Sequence, residues 1–107
     1  DFRAAERARD YIHDLLTQPI SLAELERISG RDRWSLSRDF RALFGTSPYR
    51  YLTLRRLDLV RRLLLGAISP SEAALIAGFN DQSHMSRQFK QAYGLSPGHW
   101  LRLIRQS

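Results

Sequence analysis

The sequence predicts an all-α fold: seven helices forming two helix-turn-helix subdomains joined by a long linker helix. A duplicated motif, a helical apolar period and a series of helix caps carry this reading. Leu36-Ser37-Arg38-Asp39-Phe40, followed by Gly45-Thr46-Ser47-Pro48, returns as Met85-Ser86-Arg87-Gln88-Phe89 followed by Gly94-Leu95-Ser96-Pro97, each matched pair at an offset of 49. Upstream, Ser21-Leu22-Ala23-Glu24 answers to Ser69-Pro70-Ser71-Glu72, Ile28 to Ile76 and Gly30 to Gly78, at an offset of 48. One residue is therefore gained between Gly78 and Asp81 relative to Gly30 and Asp32. A length change just after a glycine points to two copies of one helix-turn-helix with different turns. No stretch alternates with a period of two for long enough to form a strand.

The first helix is expected over Ala4 to Thr17, with Ala5, Ala8, Ile12, Leu15 and Leu16 on one face and Pro19 closing it. Ser21-x-x-Glu24 forms a capping box for a short helix over Leu22 to Ser29. Gly30 stops that helix by taking the left-handed conformation of a tight turn. Asp32 caps the next helix, Arg33 to Phe44, whose inward face is read as Leu36, Phe40, Leu43 and Phe44. Ser47 and Pro48 are N-cap and first residue of the linker helix, which runs to Leu65. Its apolar residues Leu52, Leu57, Leu59, Val60, Leu63 and Leu64 cover an arc broader than a single buried stripe, so it is expected to be buried between the subdomains. Ser69 caps a short helix carrying Ala73, Ala74 and Ile76, and Asp81 caps a helix from Gln82 to Tyr93 with Met85, Phe89 and Tyr93 inward. Ser96-Pro97 opens a last helix holding Trp100, Leu101 and Ile104. The subdomains are read as residues 4–45 and 69–106, with the linker helix at 48–65.

Composition narrows the function classes. A chain of 107 residues, 43% hydrophobic and 26% charged with four prolines, has the makings of one modest core or two small ones and is not a disordered segment. The formal charge is +6, and 16 of its 17 cationic residues are arginine, which favours a polyanionic partner and bidentate contact with phosphate or guanine. Cysteine is absent, which removes thiolate chemistry from this chain and fits a cytoplasmic setting. No apolar run reaches the length of a membrane span, so no membrane partner is expected. His13, His84 and His99 are widely spread and no HExxH is present, so neither a catalytic constellation nor a metal or cofactor site is expected, and the chain reads as a non-enzyme. It opens at Asp1 without methionine and reads as part of a longer protein, its effector domain lying elsewhere.

In a helix-turn-helix, the second helix enters the major groove and presents its N-terminal residues to base edges, while helix ends meet the backbone. The outward residues are then Arg33, Trp34, Ser37, Arg38 and Arg41 in the first copy, and Gln82, Ser83, Ser86, Arg87 and Lys90 in the second. Arginine forks onto guanine, glutamine onto adenine, and serine reaches bases or phosphates. The helix N-termini capped by Ser21 and Ser69 offer amides to phosphate. Two such readers need about 34 Å between them to enter successive major grooves. A linker of about 17 residues supplies about 25 Å at the helical rise, leaving the rest to subdomain width.

The run Gly78-Phe79-Asn80-Asp81-Gln82-Ser83-His84-Met85-Ser86-Arg87-Gln88-Phe89-Lys90, continuing through Gly94-Leu95-Ser96-Pro97, resembles the signature of the AraC/XylS family of bacterial transcription regulators. The likeness extends along essentially the whole chain. It implies a seven-helix DNA-binding domain that regulates transcription at promoters, with double-stranded DNA as partner and RNA polymerase as a further candidate. It also implies base contacts from Trp34, Ser37 and Arg38 in the first reader, and from Gln82, Ser83, Ser86 and Arg87 in the second. Ser21, Arg33, Arg41, Ser69 and Lys90 are assigned to the DNA backbone from the helix-turn-helix geometry. Three residues depart from the family pattern: Asp39 and Pro70 stand in place of apolar residues, and Met85 in place of phenylalanine. Asp39 puts a carboxylate beside Arg38, where it either orients the guanidinium or competes with DNA for it. Trp34 fits both packing and base reading, whereas Trp100 reads as core, Asp81 as an N-cap and His84 as a structural contact near Asp81. The alternative function is a helical protein-interaction module that binds an acidic or amphipathic partner.

Overall fold

Six of the helices begin just after a serine or aspartate whose side chain accepts from an amide of the first turn. The computed structural model describes residues 2–106, and seven helices lie among them. They are α1 (Arg3–Asp14), α2 (Leu22–Ser29), α3 (Arg33–Phe44), α4 (Pro48–Leu65), α5 (Pro70–Ile76), α6 (Gln82–Tyr93) and α7 (Pro97–Arg105). The capping box at α2 is complete: Ser21 Oγ accepts from the Glu24 amide at 3.1 Å, and the Glu24 carboxylate accepts from the Ser21 amide at 3.2 Å. Ser69, Asp81 and Ser96 likewise accept from the third amide of their helices. α1 stops at Asp14, short of the expected Thr17: Leu15 leaves the helical conformation with φ −117° and ψ 30°, and the Gln18 amide turns back onto the Leu15 carbonyl at 2.9 Å.

The chain divides into two units, the first ending at Leu52 and the second starting at Thr53. In the first, Ala5, Ala8 and Ile12 of α1, Leu25 of α2, Leu36 and Phe40 of α3 and Leu52 of α4 form one core. In the second, Leu57, Val60 and Leu64 of α4 pack with Ala73, Ala74, Ala77, Phe79, Met85 and Phe89. α4 thus supplies its first turns to one core and the rest of its length to the other. Both cores are built around the same aromatic group. Phe40 meets Phe44 at 4.6 Å and Tyr51 at 5.4 Å between ring centroids. Phe89 meets Tyr93 at 4.7 Å and Trp100 at 5.7 Å. Each pair of corresponding residues is separated by 49 positions, so the duplication extends from the motif into the packing.

Several residues assigned to the core by periodicity face outward instead. Leu43 is 39% exposed, Ile76 46% and Ile104 44%. Each lies in the last turn of its helix. Ala77, one residue beyond α5, is buried in place of Ile76. Leu63 is only half-buried at the margin of the second core.

The end of α4 contains a residue in an unfavourable conformation. The Ile68 amide donates to the Leu63 carbonyl and the Ala67 amide to that of Leu64, the pair of bonds of a Schellman motif. The left-handed position of that motif is held by Ala67, with φ 69°, while glycine stands one residue earlier at Gly66. A Cβ in the left-handed region costs about 1–2 kcal/mol. α5 ends in the same pair of bonds, from Phe79 to Ala74 and Gly78 to Leu75, with glycine at the left-handed position.

Ala67→Gly is accordingly expected to stabilise the chain by about 0.5–1 kcal/mol, the relief of strain exceeding the greater unfolded-state entropy of glycine. A thermal melt lower than that of the parent would contradict this. Leu57→Ala, at a fully buried position, is expected to destabilise by about 2–5 kcal/mol in denaturant titration. Leu63→Ala should destabilise less, since part of that side chain already meets water.

Candidate nucleic-acid interface

In each unit the outward residues of the second helix are positioned by what lies beneath and before them. Asp32 Oδ1 accepts from the Ser35 amide at 3.0 Å and its Oδ2 accepts from the Ser35 hydroxyl at 2.9 Å. The backbone bond from Ser35 is the main reason that the Asp32 carboxyl titrates below the ordinary range. Glu26 ties α2 to the start of α3, accepting from the Arg33 amide at 3.0 Å and pairing with its guanidinium at 3.3 Å. The first helix is fastened to α2 by Tyr11, whose hydroxyl donates to Glu24 at 2.7 Å. That bond is the leading cause both of the lowered Glu24 pKa and of the raised Tyr11 pKa.

With α3 held this way, Trp34 is 80% exposed and does not serve the core. The Arg38 side chain is 73% exposed. Ser37 is half-buried beside them, and its Oγ accepts from Arg41 Nε at 3.4 Å. Arg33 and Arg41, assigned to the backbone, are both exposed at the two ends of this face. Ser21 is exposed, but its hydroxyl is occupied by the capping box.

Sequence reasoning missed the apolar surroundings of Trp34. A surface pocket of about 340 Å³ opens beside it, lined among others by Leu22, Leu36, Pro48 and Tyr49. Leu22 and Tyr49 are themselves 44% and 58% exposed. A signal was available: both are large apolar residues in the first turn of a helix, just after a serine cap, where the helix has not yet settled on the core.

The second unit repeats the arrangement with a longer turn. The residue gained after Gly78 brings Phe79 into the core, 5% exposed, and Phe79 in turn meets the His84 ring edge-on at 5.4 Å. Gly78 has φ 99°, and a Cβ there would stand 2.9 Å from Arg56 Nε, so the turn lies closely against the Arg56 side chain of α4. Asp81 Oδ1 accepts from the His84 amide at 2.7 Å. His84 is therefore a structural residue of the helix start, packed against Phe79. Gln82, Ser83, Arg87 and Lys90 are exposed and Ser86 is half-buried, matching Ser37. The Ser69 hydroxyl caps α5 at the Glu72 amide, 3.3 Å away. Trp100, read as core, is half-buried and packs against Phe89 at the margin of the second core. Among the described residues no group of three or more His, Asp or Glu converges on a metal position, and no helix is long and apolar enough to cross a membrane.

A family model described as a helix-turn-helix domain matches residues 25–103. The chain is 33% identical over 97 residues to the probable transcriptional regulator LumQ of Photobacterium leiognathi, covering 90% of this chain and 39% of that protein. It is 39% identical over 85 residues to the transcriptional activator RhrA of Rhizobium meliloti (strain 1021), covering 77% and 26%. The chain thus spans two fifths or less of the length of these relatives. Among solved structures it matches the C-terminal domain of AraT, a response regulator from Geobacillus stearothermophilus, with a TM-score of 0.85 at 29% identity, over 94% of this chain and 84% of that one. It matches the DNA-binding domain of the global transcriptional factor AdpA, solved in complex with a target DNA, with a TM-score of 0.85 at 25% identity, over 97% and 94%.

The Asp32 cap has a testable pH dependence. Its folded-state pKa is depressed, so its contribution is complete above the ordinary carboxylate pKa of about 4 and is lost as pH falls through the lower folded value. Asp32→Ala should therefore melt below the parent at pH 7, and the two melting temperatures should converge as the pH is lowered below that range. A gap that stays constant down to pH 2 would show that the carboxylate charge does not contribute to the cap.

Proposed function

The chain belongs to the AraC-type helix-turn-helix family, and on that footing we propose that it binds DNA sequence-specifically as the DNA-binding domain of a transcription regulator. α3 and α6 are its two recognition helices, each entering a major groove of one promoter site. The observation that supports this best is the like exposure of matched donors. Arg38 and Arg87 face outward at equivalent positions of the two helices, flanked by half-buried Ser37 and Ser86, on a chain of charge +6.

In this reading Trp34, Ser37 and Arg38 contact bases from the first unit, and Gln82, Ser83, Ser86 and Arg87 from the second. Arginine at these positions presents its fork to guanine O6 and N7, glutamine its amide to adenine, and the indole its apolar face to the groove floor. Arg33, Arg41 and Lys90 lie along the edges of these faces and take phosphates, as do the amides at the helix starts capped by Ser21 and Ser69. The domain is proposed to work without a cofactor and without catalysis, in the cytoplasm where promoter DNA is. RNA polymerase is proposed as the partner of the bound state, and effector sensing is assigned to a separate domain.

Selection of bound sequences from a random duplex pool, followed by a salt titration on the preferred site, tests this reading. Log affinity should fall linearly with log salt, by about 0.9 per phosphate neutralised. Binding indifferent to salt and to sequence would instead support a protein-interaction module. Arg87→Ala is expected to lose about 1–3 kcal/mol on the preferred site and to relax one base position. Lys90→Ala should weaken all sequences alike and reduce the salt slope by about 1. If the two variants exchange behaviours, their base and backbone assignments must be exchanged as well.

A further inference from the structure

We propose that Asp39 is a specificity-determining positioning residue, holding Arg38 side-on so that its two terminal nitrogens remain directed at guanine. The proposal rests on Arg38 being a base contact. Asp39 precedes the buried Phe40 and lies at the border of the inward face, its side chain only 15% exposed. Its two carboxylate oxygens face different arginines. Oδ2 is 3.3 Å from Arg31 Nη2, and Oδ1 is 3.7 Å from Arg38 Nε.

Arg31 belongs to the turn between α2 and α3, and that turn is itself fastened. The Arg31 amide donates to Ser29 Oγ at 3.2 Å, and Arg7 donates to the Ser29 carbonyl at 2.6 Å. The carboxylate is thus referenced to the turn, and Arg38 is the most exposed member of the set. In open water a 3.7 Å pair with a side chain 73% exposed contributes little. A duplex seated over α3 removes that water, and the same pair strengthens as the local dielectric falls.

The direction of approach decides what the pair does. A carboxylate lying across both terminal nitrogens would cover the fork that guanine needs. Approach at Nε leaves Nη1 and Nη2 available, and once the pair shortens to a hydrogen bond beneath the duplex it restricts the guanidinium to one plane. Asp39 therefore lowers affinity for any polyanion through its charge, while sharpening the preference of Arg38 for guanine. At the equivalent position in the second unit stands neutral Gln88.

The test measures the 107-residue chain on its selected site and on duplexes with each base replaced, by fluorescence anisotropy at fixed salt. Arg38→Ala first identifies the base that Arg38 reads; if it relaxes none, the base-contact reading of Arg38 fails, and the proposal with it. Given that base, Asp39→Asn should reduce the preference for guanine there by about threefold or more and raise affinity for unrelated duplex, with the melting temperature little changed. Guanine preference equal to or above the parent's, with Arg38→Ala relaxing the base as expected, would overturn the proposal and leave Asp39 as a competing charge. Should Asp39→Asn fail to fold, Arg31→Met provides a second arm. It releases the carboxylate from the turn to chelate Arg38 fully, so guanine preference should again fall, and an unchanged preference would likewise overturn the proposal.

Discussion

The rest of each unit depends on one buried ring in the middle of its second helix, Phe40 in the first and Phe89 in the second, both fully enclosed. Fixing that ring fixes the rotation of the helix about its own axis. At 3.6 residues per turn, a residue two positions earlier lies about 160° away around the helix, and one three positions earlier about 60° away. Arg38 and Arg87 therefore face away from the core, and Ser37 and Ser86 fall at its border, which is where the structure has them. The aromatic partners, Phe44 with Tyr51 and Tyr93 with Trp100, lock the ring from the far side. A cation covers each cluster: Arg9 over Phe44 at 5.3 Å, and Arg61 over Tyr93 at 4.7 Å. The same geometry that closes the core thus determines which side chains are displayed.

The two units reach this common arrangement through different turns. In the first, Gly30 follows α2 directly, and polar contacts around Ser29, Arg31 and Glu26 complete the turn. In the second, Ala77 intervenes before Gly78, and the gained residue puts Phe79 into the core. The first turn is therefore tied by ion pairs and side-chain hydrogen bonds, and the second adds to its backbone hydrogen bonds the burial of Phe79 and the close approach of Arg56 to Gly78. Ion pairs weaken with ionic strength, and the burial of Phe79 is far less sensitive to it. In the first unit Arg31, Arg33 and Arg38 are all engaged in ion pairs at or beside this turn.

Much of this was legible because caps and repeats are local chemistry. Serine or aspartate followed by a glutamate, a proline or a polar run marks a helix start by hydrogen bonds to its own neighbours, and all six expected caps lie at or beside the observed starts. What the residues alone could not convey was the depth of the core at each helix end. Leu43, Ile76 and Ile104 satisfy the apolar period, yet periodicity reports a direction and not whether anything lies there to pack against. The same limit hid the pocket beside Trp34, since Leu22 and Tyr49 belong to different helices and meet only in the fold. Asp39 was visible as a charge beside Arg38, but its partner Arg31, eight residues earlier across the turn, was not.

That last pair shows why a departure from a family pattern is informative when its surroundings are known. A carboxylate at the edge of an apolar face is unfavourable unless it is paired, because desolvation disfavours the charged form. Arg31 supplies the pairing at Asp39, which explains how the residue is tolerated without explaining what it does for the reader. Its second oxygen faces a different partner. Had both oxygens turned toward Arg31, Asp39 would be a structural ion pair and Arg38 an independent side chain. With Oδ1 3.7 Å from Arg38 Nε, the turn, the carboxylate and the exposed guanidinium form one connected series of charges that runs from the margin of the first core to its surface.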